Sequence, residues 1–185
     1  MAEYYLVSQL PSLDAVNEGT PLPITSERFA SLCESNLGKK GMAEFAKITL
    51  SPSREPEKSA SALIESWNTG ERDLRLALAK ARADKMNKSF DIGTKVFSAD
   101  ILQTVRSAVE AESPMEADKI LNRRRLDFLE TLRPMDPFSQ EYVFYYGLKL
   151  RLLERIRRFD PASGELAYRT IYNSIMDKDR SEVTQ

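Results

Sequence analysis

Two helix-start signals in the second half of the chain constrain the fold most, because each opens a long segment with helical periodicity. Ser113-Pro114-Met115-Glu116 reads as a capping box: the serine hydroxyl can accept from the N3 amide, proline suits N1, and glutamate can reach back to the cap. Asp136-Pro137 repeats the start signal. Ala117, Ile120, Leu121, Phe128 and Leu132 follow the first; Tyr142, Tyr145, Tyr146, Lys149, Leu152, Leu153, Ile156 and Phe159 follow the second. Both sets lie near the i, i+3, i+4, i+7 spacing of one helix face. The pattern predicts an all-α protein, an antiparallel bundle of about six to eight helices.

Further helices are expected upstream. Thr25 caps one that runs to Leu37 and ends at Gly38, and a short one follows around Met42 to Ile48. Glu57 to Asn68 carries Leu63, Ile64 and Trp67 inward, and Gly70 allows a bend before Glu71 to Met86 resumes with Leu74, Leu78 and Ala81 on one face. Ser98 caps a helix with the stripe Ile101, Leu102, Val105, Ala108 and Val109. The helix from Pro137 to Phe159 would be roughly 35 Å long and is apolar on more than one side, so it should be the most enclosed. Asp160 to Gly164 turns into a last helix with Ala167, Tyr168, Ile171, Tyr172 and Ile175, and 178–185 should fray. Tyr4 to Leu10, aromatic and β-branched, reads as a short extended segment stopped by Pro11, with two turns of buried helix as the open alternative. One helical domain is expected; Ser51 to Pro56 is the best linker, with 1–50 and 57–177 as the two lobes it would join.

Composition narrows the chemistry. The chain has no histidine, which removes the usual general base, Ser-His and Cys-His couples and imidazole metal sites. Cys33 is alone and lies on the stripe Phe29, Leu32, Cys33, Leu37, so it reads as a small core residue. The longest uncharged run, Tyr4 to Leu13, is far short of the ~20 apolar residues that span a bilayer. No membrane insertion is expected, and without a signal-peptide pattern the expected location is cytoplasmic. Net charge is −1, yet 119–158 holds 10 Lys/Arg against 5 Asp/Glu.

Those basic helices offer the main candidate surface. Successive helix residues are 100° apart, so Arg123-Arg124-Arg125 cannot all point one way. Arg124 sits near the Ile120 to Phe128 stripe and is expected to be partly buried against a carboxylate. Asp127 can pair with Arg123 and Glu154 with Arg158, which would make an ordinary solvated face. No nucleic acid is expected, since no recognition module is present and total charge is near neutral. Gly38-Lys39-Lys40-Gly41 lacks phosphate-loop spacing and reads as a helix stop. Glu110, Glu112, Glu116 and Asp118 are too scattered around the helix for a metal, and neither metal nor cofactor is expected. Tyr142, Tyr145, Tyr146, Phe159, Tyr168 and Tyr172 could line a ligand pocket or pack between the last helices.

Several segments resemble an uncharacterised bacterial family whose genes lie beside those of V-type (A/V-type) rotary ATPases. They are Tyr4-Tyr5-Leu6-Val7 through Leu10-Pro11; Ile24-Thr25-Ser26-Glu27-Arg28-Phe29; Trp67 with Glu71-Arg72-Asp73-Leu74-Arg75 and Ala81-Arg82-Ala83; Ser113 to Ala117; and Tyr146-Gly147-Leu148-Lys149-Leu150 with Leu153-Glu154-Arg155, Phe159-Asp160 and Gly164. The resemblance implies association with V-type ATPase subunits, in ion or proton transport, peripheral to the membrane. The helical pattern is similar to part of the C/d-type subunit that seats the central rotor, although that subunit is nearly twice as long. The resulting expectation is a non-enzymatic accessory or C/d-like adaptor. Its contact residues would be Trp67, Glu71, Arg72, Arg75 and Arg82 on one segment, with Arg123, Arg125, Arg151 and Arg158 as exposed arginines of the basic helices. Two other classes stay open: a small hydrolase using Asp, Glu, Lys or Tyr, and a regulatory scaffold unrelated to ATPases.

Overall fold

A computed structural model describes residues 2–14, 16, 21–55, 57–158, 170 and 172. Among the described residues there are seven helices and no strand: α1 (Ala2–Ser8), α2 (Ser26–Asn36), α3 (Lys39–Phe45), α4 (Ala62–Lys85), α5 (Ala99–Glu110), α6 (Pro114–Thr131) and α7 (Gln140–Arg157). Apart from Thr170 and Tyr172, the expected last helix and tail, including Phe159 and Tyr168, lie outside the described residues.

Side chains set most of the helix starts. Thr25, Ser61, Ser98, Ser113 and Ser139 each sit in extended backbone and accept from the amide three residues on, satisfying one of the donors a helix leaves open. Asp136-Pro137 does not start α7, contrary to expectation. Asp136 instead accepts from the Phe138 amide at 2.9 Å and forms a turn, leaving Ser139 to cap. Gly38 does not only stop α2; it is also the N-cap of α3, which places that helix about one turn earlier than its apolar residues suggested.

Two other expectations are corrected. The N-terminal segment is helical, because a lone extended strand would have no partner for its amides and carbonyls, whereas a helix pairs its own. Leu6 is fully buried, the Ser8 hydroxyl and Gln9 side chain both donate to the Tyr5 carbonyl, and Pro11 stops the coil. Helix α4 runs unbroken through Gly70, where a Cβ would overlap the Phe128 ring, so the glycine admits that ring. One apolar cluster takes residues from both sides of the 51–56 break. The larger cluster joins Leu6, Phe29, Phe45, Ile48, Ile64, Trp67 and Leu129 around α7, while Leu74, Leu78, Ile101, Val105 and Leu121 form a smaller one. Both α4 and α6 contribute to both clusters.

Pair contacts give the helix directions. Arg125 meets Glu71, and Phe128 stacks on Trp67 at 6.2 Å, so α6 runs against α4. Tyr145 meets Glu130 and Arg155 meets Asp118, so α7 runs against α6. The α4 to α5 step departs from a simple up-down order. Lys95 pairs with Asp73 at 2.8 Å while Lys85 reaches the Val109 carbonyl, so 86–98 returns along α4 and α5 then runs parallel to it. Leu102, expected on the α5 stripe, faces outward; Ile101, Val105 and Ala108 are buried. Helix α7 is the spine, with every residue from Val143 to Leu150 buried.

Candidate functional site

The residues expected to form a contact surface separate into an internal network and an exposed remainder. Arg125 was expected outside and is 5% exposed; Glu71 is 2% exposed and Trp67 1%. The guanidinium of Arg125 donates through Nε and Nη2 to the two Glu71 oxygens, both at 2.9 Å, the parallel fork that arginine and carboxylate favour. Arg75 donates Nε to Glu71 at 2.7 Å and its Nη2 to the Leu50 carbonyl at 2.9 Å. Arg125 Nη1 reaches Asn122 Oδ1 at 3.2 Å, Asn122 donates to Asp118, and Asp118 meets Arg155 at 3.3 Å. One polar chain therefore crosses α4, α6 and α7. Trp67 donates its indole N–H to the Thr49 carbonyl at 2.9 Å and acts inside the core.

Arg151 is half-buried as well: it donates to the Ile48 carbonyl and its guanidinium lies over the Phe45 ring. Arg82, Arg123 and Arg158 are exposed and Arg72 is intermediate. Arg123 pairs with Asp127 at 3.4 Å, as its spacing suggested. Arg124 is partly buried with Asp100 2.6 Å away and its guanidinium over Phe128, also as expected. Glu154 does not serve Arg158. Its two oxygens accept from the Ser26 amide at 2.7 Å and hydroxyl at 2.6 Å, at the start of α2.

That contact belongs to a set which sequence reasoning missed. Glu141, in the first turn of α7, accepts from the Ser61 hydroxyl at 2.8 Å and the Leu63 amide at 3.1 Å, at the start of α4. Glu44 accepts from Ser59 and from the Ala60 amide. Hydrogen bonds from Lys47 and Ser59 hold its carboxyl below the usual range. Carboxylates at the positive ends of α2 and α4 thus bind distant chain segments to the spine. Their partners lie 128 and 80 residues away, which no local pattern reveals.

A second missed feature surrounds Lys149. Its ammonium donates to Asp14 at 2.7 Å and to the Tyr145 hydroxyl at 3.3 Å, and lies 2.7 Å from Glu130. Tyr145 donates to Glu130 at 2.7 Å, and Arg133 flanks Asp14. Burial works to lower the Lys149 pKa, but hydrogen bonds to Asp14 and Glu130 outweigh it and the net direction is up. Burial likewise pushes Glu130 upward, and the bonds from Lys149 and Tyr145 reverse it to a net fall. The Lys149 hydrogen bond is the main cause holding Asp14 low. Burial raises Tyr145 to about 12. These directions fix cation, anions and neutral phenol in their ordinary states, the opposite of a base or nucleophile poised near neutrality. The signal was present: a lysine inside the buried run from Val143 to Leu150 requires charged partners.

Cys33 is buried and its thiol is pushed up to about 12 by that burial, so it behaves as a core residue. Among the described residues, no group of three or more Cys, Asp or Glu side chains gathers as a metal-binding set, and no helix is long and apolar enough to cross a membrane. Comparison with protein-family models, curated proteins and solved structures finds no match.

Proposed function

We propose that this chain is a non-enzymatic helical adaptor associated with a bacterial V-type rotary ATPase, similar in role to the C/d-type subunit. The ordered segments that resemble the ATPase-linked family, from Tyr4-Tyr5-Leu6-Val7 to Leu153-Glu154-Arg155, support the partner. The role is supported above all by the way α7 is anchored: Glu141 near its start and Glu154 near its end hold the starts of α4 and α2. A subunit that transmits force needs elements that cannot slide, and a close-packed helix stack tied by long-range charged hydrogen bonds is resistant to sliding.

The contact surface in this reading moves from the buried Trp67, Glu71 and Arg125 to the outward-facing Arg82, Arg123 and Arg158. Exposed arginines of this kind mainly tune encounter rate and register. The protonation states around Lys149 favour the adaptor over a small hydrolase, because a lysine held charged cannot accept a proton at neutral pH. The test is affinity capture of the tagged chain from its native cell. Rotary ATPase subunits are expected with it, weakened by the combined change Arg82→Ala, Arg123→Ala and Arg158→Ala. An intact ATPase that carries none of this chain at any stoichiometry overturns the proposal.

A further inference from the structure

Large apolar side chains stand exposed at one end of the helix stack. Pro134 and Pro137 bracket the turn between α6 and α7, and each fixes its own φ, so the turn is stiff. Asp136 closes it twice: its carboxylate accepts from the Phe138 amide at 2.9 Å and its carbonyl from the Ser139 hydroxyl at 2.8 Å. Met135 is fully exposed on this turn, and Phe138 stays 42% exposed although its ring lies 4.6 Å from that of Tyr4. The ring contact joins the turn to the outer arc of α1, where Tyr4 and Tyr5 are 60% and 63% exposed. Together the four side chains show roughly 500 Å² of mostly apolar surface, near the upper end of the largest patch a typical monomer leaves open.

The charges beside this patch indicate what covers it. Arg133 spends only one of its N–H donors, on a 3.4 Å bond to Asp14, and its other carboxylate neighbour, Glu130, is 3.9 Å away. Both distances exceed the about 2.7–2.9 Å of a settled charge-assisted bond, so the guanidinium has donors left for a third carboxylate. Three residues on, Asp136 uses its carboxylate only for the Phe138 amide. One under-used cation and one under-used anion therefore flank Met135. A two-fold axis at Met135 sets Arg133 of each copy against Asp136 of the other, the self-complementarity that an isologous interface requires. An anionic lipid surface suits the patch less, because Asp14, Glu130 and Asp136 outnumber Arg133 beside it.

We infer that this end of the molecule is a homodimer interface, in which Tyr4, Met135 and Phe138 of two copies pack across a two-fold axis and Arg133 of each copy pairs with Asp136 of the other. Roughly 500 Å² of apolar surface on each side, widened by the charged rim, approaches the ~800 Å² a side of a standard interface. A reversible dimer with a Kd on the order of 1–100 μM is expected. The stiff turn favours association, since little has to be ordered on contact. The inference stands apart from the rotary ATPase reading, because it needs only a second copy of the chain.

The experiment is sedimentation equilibrium of the full chain from about 1 μM to about 1 mM, over which it should pass from monomer to dimer. Met135→Asp, a change at a fully exposed side chain, should weaken the dimer at least about tenfold and leave the unfolding midpoint of the dilute chain unchanged. Arg133→Asp and Asp136→Arg test the register. Each alone sets like charges against each other and should weaken self-association at least about tenfold, whereas an equimolar mixture of the two restores both pairs and should dimerise within a few-fold of the unchanged chain. Should Asp136→Arg loosen the turn, Met135→Asp still decides. A chain that stays monomeric throughout, a Met135→Asp variant that dimerises as before, or a folded pair whose mixture gains nothing over its components overturns the inference. So does Met135-dependent sedimentation of the monomer with vesicles of phosphatidylcholine and phosphatidylserine, which would assign the patch to a lipid surface.

Discussion

Arg125 and Glu71 are two charges removed from water together, and their energetics are set by what happens when only one is left. Arg125→Met strands Glu71 with the half-exposed Arg75 as its remaining cation, and should destabilise the fold by about 3 kcal/mol in urea unfolding. The double change Glu71→Met with Arg125→Met should restore most of that loss, since an apolar pair of similar volume avoids desolvation. A double variant as unstable as the sum of the singles contradicts the account. The Lys149 cluster makes a separate prediction in pH. Asp14 and Glu130 are held below their usual range, so their stabilisation is full above the unfolded-state values and fades as pH falls below about 4. Lys149 is held above its usual value, so its share persists at neutral pH and fades only above about 10. Lys149→Met should therefore flatten the acid limb of a thermal-unfolding pH series; an unchanged limb would count against the cluster. Residue-scale reading of the sequence placed Cys33 and Arg124 correctly because each lies on a recognisable stripe. It put Arg125 on the surface because the partner that buries it is 54 residues away.

At the scale of single helices, Gly70 is the most informative position. Alanine is the better helix former by about 1 kcal/mol, which alone would stabilise α4. The added Cβ must displace Phe128, which is held by Trp67 on one side and Arg124 on another, and overpacking of that kind costs about 1–3 kcal/mol. Gly70→Ala should lower the unfolding midpoint by that net difference; a rise would mean the ring yields freely. Glu154→Gln and Glu141→Gln weaken the charged bonds at the starts of α2 and α4. Each should cost roughly 1 kcal/mol and speed amide exchange in the first turn of the helix it caps. Threonine and serine caps made the starts of α2, α5 and α6 legible in the sequence, since a cap acts within three residues, whereas the caps of α4 and α7, Ser61 and Ser139, were not anticipated. Helix α1 was not legible, because seven residues ending at a proline satisfy strand and helix patterns alike and only the absence of a partner strand decides. Nor was the parallel α4 to α5 step, which depends on Lys95 finding Asp73.

Over the whole molecule, the two apolar clusters are joined by α4 and α6, and the polar chain from Arg75 through Arg125 to Arg155 ties those helices to the spine. The fold class was legible because periodicity repeats over long segments, whereas the internal routing of charge was not, because it joins residues far apart in sequence. An adaptor that carries force requires these clusters to open together. Native-state hydrogen exchange measures this most directly, through the opening free energies of amides at Trp67 and Leu148 in one cluster and Leu78 and Val105 in the other. The account predicts one shared value equal to the global unfolding free energy, with parallel dependence on denaturant. A smaller cluster that opens separately, at a clearly lower free energy than the α7 spine, would contradict a single stiff body.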